Sequence, residues 1–193
     1  VISARNGLNS AAAASPDGKL IACTLTMGGN SEIYLLDPNG KIVKQLTVSS
    51  AIDTSPSWSP SSKEIAFTSD RAGGPEIYIT DVDGASVRRL TFLGDYNDQP
   101  SWSPRGDIIA YTSRDADGFQ IYTIDIAGLN PRQLTEVGAN MSPSWSPDGL
   151  HLVYSSNISG NTRLYMMDYN GLNKKVLDLP GDCKTPKWSK SIK

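Results

Sequence analysis

The chain has 193 residues, with 18 basic and 20 acidic side chains and a formal net charge of −2. This near-neutral balance offers no concentrated positive surface for nucleic acid, and no apolar run approaches the roughly 20 residues needed to cross a bilayer. Two cysteines are too few for a disulfide framework or a zinc site. Frequent Gly and Pro between alternating apolar runs indicate an all-β chain with many turns.

A repeated unit organises the whole sequence. Trp58, Trp102, Trp145 and Trp188 follow one another at intervals of 44, 43 and 43 residues, and Ala14 takes the same position in the first unit. A fixed period in this range indicates a repeat architecture.

Each unit reads as four short strands. In the second unit the first strand ends at Trp58, Ile65–Thr68 and Ile77–Thr80 have the alternation of half-buried strands, and Val87–Leu90 is short and basic. A basic outer strand is typical of an exposed sheet edge. Four-stranded units at this period are blades of a β-propeller, which we place at approximately 8–47, 52–91, 96–135 and 139–178.

Sequence variation is concentrated in one place. The offsets within a unit are constant, and length changes only between the Leu-Thr position and the next Trp. Because strands alternate in direction within a blade, the connections at 48–53, 92–98 and 136–140 are expected to emerge at one mouth of the central channel. Variable loops on a rigid scaffold are where binding residues usually lie.

The residues four and three positions before each Trp are therefore the candidate binding residues. They are Thr54, Ser55, Asp98, Gln99, Met141 and Ser142, with Asp53, Asn97 and Asn140 one step further out. Such small polar groups could hold a partner's side chains or a cation such as calcium, or they could be polar only because the channel contains water. We predict no cofactor.

Catalytic signatures are scarce, which favours a protein that is not an enzyme. The single histidine, His151, is interpreted as a surface residue beside a turn, and one histidine cannot build a multi-histidine metal site. No Gly-x-Ser-x-Gly elbow is present. We interpret the repeated Trp and Tyr residues as packing between neighbouring blades, and we do not expect Cys23 and Cys183 to pair.

The repeat resembles that of the TolB propeller. The resemblance rests on Pro-Ser-Trp-Ser-Pro, Ile-Ala-Phe-Thr-Ser, Ile-Tyr-x-x-Asp and Arg-Gln-Leu-Thr, above all on 53–60 with 65–71, and on a final Pro186-Lys-Trp188-Ser189. It implies four blades plus the closing strand, at 183–190, of a six-bladed propeller. It also implies that 1–193 is one propeller domain with parts missing upstream, able to self-associate through open blade faces.

The same resemblance implies a function in the periplasm. TolB propellers bind the lipoprotein Pal of the Tol-Pal envelope system at the channel mouth, so a Pal-like partner is expected here. The corresponding residues are Leu8 and Asn9 together with Asp53–Ser55, Asn97–Gln99 and Asn140–Ser142. Leu8 and Ser55 stand where enteric TolB has His and Glu, so this chain departs from that pattern at two positions expected to contact the partner. The alternatives are the propeller of an α/β-hydrolase peptidase and a lyase-like propeller.

Overall fold

The computed structural model describes residues 9–27 and 29–188, and every regular element in them is a β-strand. The strands form four sheets of four antiparallel strands each, in which the spatial order follows the chain order. No helix in this part of the chain is long and apolar enough to cross a membrane. The predicted all-β fold of four-stranded antiparallel blades is confirmed.

The chain divides into two compact units, 1–100 and 101–193, which we describe separately. The first unit contains two complete blades. Blade 1 consists of β1 (Asn9–Ala14), β2 (Ile21–Thr26), β3 (Ser31–Leu36) and β4 (Ile42–Gln45). Blade 2 consists of β5 (Asp53–Trp58), β6 (Glu64–Ser69), β7 (Glu76–Asp81) and β8 (Val87–Arg89).

Blade 3 begins with β9 (Asn97–Trp102), which runs across the boundary into the second unit. It continues with β10 (Ile108–Asp115), β11 (Gly118–Asp125) and β12 (Arg132–Gln133). Blade 4 consists of β13 (Asn140–Trp145), β14 (His151–Ser156), β15 (Arg163–Asp168) and β16 (Lys175–Val176). Whether the whole chain forms one domain stays a prediction.

Tight turns connect the strands where Ser-Pro-x-Gly and Asp-x-x-Gly predict them. In blade 1 the Gly18 N–H donates to the Ser15 carbonyl at 2.9 Å, and in blade 2 the Gly84 N–H donates to the Asp81 carbonyl at 3.0 Å. Both glycines have positive φ, 73° and 66°, a conformation that glycine adopts without steric cost. The local sequence therefore determines these turns.

The core of the first unit lies between its two blades. Trp58 packs with Ile65 and Phe67 of blade 2 against Ala22 and Ile33 of blade 1. Its indole N–H donates to the Ala13 carbonyl at 2.9 Å, so the polar atom of a buried tryptophan is satisfied. The predicted packing role of Trp58 is confirmed.

The second unit repeats this arrangement. Trp145 and Leu152 of blade 4 pack against Ala110 and Ile121 of blade 3, and the Trp145 indole donates to the Ser101 carbonyl at 2.9 Å. Trp188 is different, because 41% of its surface is exposed. The two tryptophans that pack between described blades are thus buried, whereas Trp188 is partly exposed.

The segment expected to close the ring, 183–190, is described up to residue 188 and is not assigned as a strand there. It nevertheless follows blade 4 as an inner strand follows a blade. The Cys183 N–H donates to the Thr162 carbonyl at 3.0 Å, as the Asn97 N–H does to the Pro75 carbonyl at 2.7 Å. Its role as a closing strand stays a prediction.

Candidate partner-binding site

Three equivalent sets of buried polar residues hold the connections that lead into β5, β9 and β13. Each set joins the first buried residue of a third strand, the threonine of the Leu-Thr pair and the residue that starts the next first strand. We call them anchor 1 (Glu32, Thr47, Asp53), anchor 2 (Glu76, Thr91, Asn97) and anchor 3 (Gln120, Thr135, Asn140). All nine residues are at most 4% exposed.

The threonine works in the same way in every anchor. In anchor 2 the Thr91 hydroxyl accepts the Ile77 N–H at 2.9 Å and donates to the Glu76 carboxylate at 2.5 Å. The Asn97 amide nitrogen donates to the same carboxylate at 2.9 Å and to the Leu93 carbonyl at 2.8 Å. Buried side chains thereby provide hydrogen bonds to the backbone of a connection that is not paired in a sheet.

Anchor 3 has the same geometry without charge. Thr135 donates to the Gln120 side-chain oxygen at 2.8 Å, and the Asn140 amide nitrogen donates to that oxygen at 2.8 Å. The Asn140 nitrogen also reaches the Val137 carbonyl at 3.0 Å. Because every partner is neutral, burial carries no charge desolvation penalty here.

Anchor 1 places two carboxyl groups together. Glu32 accepts from Thr47 at 2.5 Å and from the Ser49 N–H at 2.8 Å. Burial raises the pKa of Glu32 above its ordinary value and the nearby Asp53 raises it further, against these two hydrogen bonds, which lower it. Asp53 is held by the Arg71 guanidinium, at 2.9 and 3.2 Å from its two oxygens.

Three of the predicted binding residues, Asp53, Asn97 and Asn140, belong to the anchors. Asp53 is 0% exposed, and its observed contacts stabilise the connection. Its contact with a partner stays a prediction. Asn97 and Asn140 are buried in the same way. Leu8 lies outside the described residues, and Asn9 is described only as the first residue of β1.

The next two positions are only partly buried. These are Thr54, Ser55, Asp98, Gln99, Met141 and Ser142. Within the first unit the Asp98 carboxylate accepts from the Thr68 hydroxyl at 2.8 Å and from the Tyr96 hydroxyl at 3.2 Å. Within the second, the Ser142 N–H donates to the Thr112 hydroxyl at 3.1 Å. Contacts with the preceding blade therefore hold these positions in place.

A β-bulge, which sequence reasoning missed, occurs at this point in the inner strands. Ser55, Gln99 and Ser142 have φ angles of 54°, 56° and 58°, in a left-handed region that non-glycine residues rarely enter. The register shifts between Thr54 and Ser57 and between Met141 and Ser144. A bulge re-aims side chains and is common next to functional sites.

One signal for the bulge is present in the sequence. Pro56, Pro100 and Pro143 each follow the left-handed residue, and proline within a sheet is confined largely to edges and bulges. Ala11 and Thr185, at the same position in the first and last units, also have positive φ, 50° and 48°. The backbone repeats here although the side chains differ.

The described residues show no constellation suited to metal binding. No group of three His, Cys, Asp or Glu that could hold a metal ion occurs in 9–27 and 29–188. His151 lies at the start of β14, 3.7 Å from the Asp168 carboxylate across the hairpin. A channel cation such as calcium, which is one of the open alternatives beside the prediction of no cofactor, stays untested.

Comparisons with known proteins agree with this architecture. The family model for the TolB β-propeller domain matches residues 1–192. Among solved structures, TolB from Acinetobacter baumannii is 35% identical with a TM-score of 0.87 over 97% of this chain. A putative TolB from Agrobacterium tumefaciens is 27% identical with a TM-score of 0.77 over 88% of this chain.

A nidogen/laminin complex, 15% identical with a TM-score of 0.77 over 95% of this chain and 69% of that chain, shares the fold alone. The chain spans only 47% of the Acinetobacter protein and 66% of the Agrobacterium protein. It accounts for part of the length of both TolB structures. Since the family model covers nearly every residue, the chain belongs to the TolB β-propeller domain family.

Proposed function

We propose that this chain is a non-enzymatic protein-binding propeller of the TolB type, acting in the periplasm and binding a Pal-like lipoprotein at the channel mouth. One observation carries the proposal. The candidate binding positions that directly follow the variable connections are the positions at which β5 and β13 bulge, and their side chains are only partly buried. The family assignment supports a protein as the ligand.

The chemistry of these positions suits a protein surface. Thr54, Ser55 and Ser142 offer hydroxyl groups, Asp98 offers a carboxylate, and Met141 offers a flexible apolar contact of the kind enriched at interfaces. The anchors fix the backbone beneath them, so little conformational entropy is lost on binding. A rigid scaffold with adaptable side chains is therefore the basis of the proposed recognition.

Binding to the Pal protein of the same organism tests the proposal. Ser55→Arg and Met141→Glu place a bulky or charged group at the mouth and are expected to weaken binding by about tenfold or more each. Calorimetric titration of the full chain gives the dissociation constants. A matched control is Asp83→Arg, since Asp83 is exposed in the turn between β7 and β8, at the other end of blade 2 from Ser69.

Retention of full affinity by both mouth variants would contradict the proposed surface, and no binding by the unaltered chain would contradict the proposed partner. A variant that is partly unfolded would also show a lower apparent affinity. Circular dichroism of each variant at the titration temperature therefore accompanies the binding measurement.

A further inference from the structure

A small cavity opens in blade 4 of the second unit, and it shares Asn140 with the predicted binding residues. Its volume is about 240 Å³, below the roughly 300–1,000 Å³ of typical small-molecule pockets. This size suits one inserted side chain. The lining residues are Thr135, Glu136, Val137, Asn140, Tyr154, Ser156, Ile158, Tyr165 and Lys174.

Two of the lining residues, Tyr154 and Tyr165, form an aromatic pair. The centroids of Tyr154 and Tyr165 are 5.9 Å apart with an interplanar angle of 28°. Burial, with a smaller contribution from Tyr165, raises the pKa of Tyr154 to about 12. The Tyr154 phenol is therefore neutral at physiological pH, and its ring presents the negative face of an uncharged aromatic group.

Blade 2 has the same aromatic pair, and there an arginine of the chain covers it. The Phe67 and Tyr78 centroids are 6.0 Å apart at 33°. The Arg71 guanidinium lies 5.4 Å from the first ring centroid and 4.8 Å from the second, which is within cation–π range. It also donates to the Ser69 hydroxyl at 2.8 Å and pairs with Asp53.

The position of Arg71 in blade 2 has an equivalent in blade 4, with the same backbone hydrogen bond, and the residue there is Ile158. The Arg71 N–H donates to the Ser69 hydroxyl at 3.4 Å, and the Ile158 N–H donates to the Ser156 hydroxyl at 3.3 Å. Ile158 is 50% exposed. The two chain positions are thus equivalent, but the short apolar side chain of Ile158 lacks the guanidinium that covers the aromatic pair in blade 2.

The turn next to each position confirms that the backbone of blade 2 around Arg71 matches that of blade 4 around Ile158. The Gly73 N–H donates to the Asp70 carbonyl at 2.9 Å, and the Gly160 N–H donates to the Asn157 carbonyl at 2.8 Å. The side chains of Asp70 and Asn157 each accept a main-chain N–H from the preceding connection at 2.7 Å. The cavity therefore results from the change of side chain, since the loop has the same conformation.

The acceptors that Arg71 uses have counterparts around the cavity. Ser156 corresponds to Ser69, and Asn140 corresponds to Asp53. Both amide hydrogens of Asn140 have carbonyl acceptors, at Gln120 and Val137, which leaves the amide oxygen to accept from a ligand. Glu136, exposed at the cavity, contributes a carboxylate.

One lining group opposes a cation. Lys174 lies at the cavity, and its ammonium group donates to the Gly171 carbonyl at 2.6 Å. This contact holds the lysine ammonium group at the Gly171 carbonyl. Glu136 is therefore expected to strengthen the binding of a positively charged ligand, and Lys174 is expected to weaken it.

The geometry points to this cavity as a binding site for an arginine side chain of a partner protein, seated on Tyr154 and Tyr165 as Arg71 is seated on Phe67 and Tyr78. The site provides an aromatic wall for the planar cation, hydroxyl and amide acceptors at its edge, and one carboxylate. It does not depend on the proposed partner at the channel mouth, because the one predicted binding residue that it shares, Asn140, is buried, and the partly accessible mouth residues are not in its lining.

The test uses the blocked amino acid Nα-acetyl-arginine N-methylamide with the full chain, and its neutral isostere made from citrulline. Titration followed by nuclear magnetic resonance of labelled tyrosine rings is expected to show saturable shifts at Tyr154 and Tyr165. We expect the citrulline probe to bind about fivefold more weakly or worse, because it lacks the cation–π contribution. Equal binding of the two probes, or no saturable shift with the arginine probe, overturns the inference.

Four variants refine the result. Ile158→Arg supplies the missing arginine from the chain itself and is expected to abolish probe binding, whereas Ile158→Leu, its matched control, retains it. Glu136→Gln is expected to weaken binding about two- to fivefold and Lys174→Gln to strengthen it by a similar factor, the range for one exposed ion pair. Unchanged probe binding by Ile158→Arg would place the probe elsewhere and refute the site. Pal binding, measured separately, is expected to be unaffected by the Ile158→Leu control.

Discussion

Anchor 1 and anchor 3 occupy equivalent positions in the repeat. Both hold the connection into the next blade by hydrogen bonds, but anchor 1 does so with carboxyl groups and anchor 3 with neutral amides. Anchor 1 buries two carboxyl groups, on Glu32 and Asp53, and blade 2 contributes Arg71 to balance them. Anchor 3 buries two amides, on Gln120 and Asn140, and the equivalent position of blade 4 is Ile158. A charged anchor thus coincides with a guanidinium on the aromatic pair, and a neutral anchor coincides with an open cavity there.

The difference teaches that hydrogen-bond geometry is the constant property of this position and charge is the variable one. The threonine of the Leu-Thr pair makes the same two hydrogen bonds in each case. Charge is tolerated only where a further residue compensates it, because an uncompensated buried charge costs several kcal/mol. The three predictions that follow break or refine this comparison.

Removal of Arg71 should have the largest effect. Arg71→Ala leaves the buried Asp53 without its ion pair and next to Glu32, and we expect a loss of about 3 kcal/mol in the free energy of unfolding. The matched variant Ile158→Ala has no buried charge to expose and should cost much less. Urea denaturation of the full chain measures both. Equal losses in the two variants would show that the arginine acts by packing alone.

The threonines of anchors 2 and 3 should rank by the charge of their acceptor. Thr91 donates to the Glu76 carboxylate and Thr135 to the neutral Gln120. We expect Thr91→Val to cost about 2–3 kcal/mol and Thr135→Val about 1–2 kcal/mol, since hydrogen bonds to charged groups are the stronger ones. Serine at either position retains the hydroxyl and serves as the control. The opposite ranking in chemical denaturation would contradict this interpretation.

Neutralising anchor 1 should have the smallest effect and the opposite sign. Glu32→Gln copies anchor 3, and we expect it to stabilise the protein by roughly 1 kcal/mol at pH 7. Because the folded-state pKa of Glu32 is raised, its ionisation destabilises the fold as pH rises from the ordinary glutamate pKa through the folded one. Below both values Glu32 is protonated in either state, so the advantage of glutamine should disappear.

Melting temperatures of the two proteins from pH 3 to pH 8 check this prediction. A stabilisation by Glu32→Gln that is constant across that range would show that the carboxylate charge is not its cause. The uncharged anchor 3 supplies a control, because Gln120→Glu should reproduce the penalty and its pH dependence in a blade that has no compensating arginine.

Much of the fold could be predicted from the repeat. The period of the tryptophans and the alternation in Ile65–Thr68 indicated four-stranded blades, and the Ser-Pro-x-Gly and Asp-x-x-Gly turns indicated where strands reverse. The candidate site was located only to the level of the connection. Asp53 could not be distinguished in sequence from its neighbour Thr54, although the fold buries the first completely and leaves the second partly accessible.

The bulge and the cavity were beyond sequence reasoning for a related reason. The left-handed residue is Ser55, Gln99 or Ser142, none of which has the conformational freedom of glycine, so only the proline after it carries a signal. The cavity is the space beside Tyr154 and Tyr165 that the side chain of Ile158 leaves unoccupied. An empty space follows from three-dimensional packing and has no residue type of its own.

The amino-acid sequence by itself determined the blade, its turns and its strand order, because these depend on local propensity and on a hydrophobic pattern repeated at fixed spacing. Tertiary structure alone decided which polar residues became anchors and which stayed accessible. Glu32 and Asp53, or Gln120 and Asn140, are some 20 residues apart in the chain and meet only when neighbouring blades pack. Burial and charge compensation are properties of that packing, and they separate the supporting residues of this surface from its candidate binding residues.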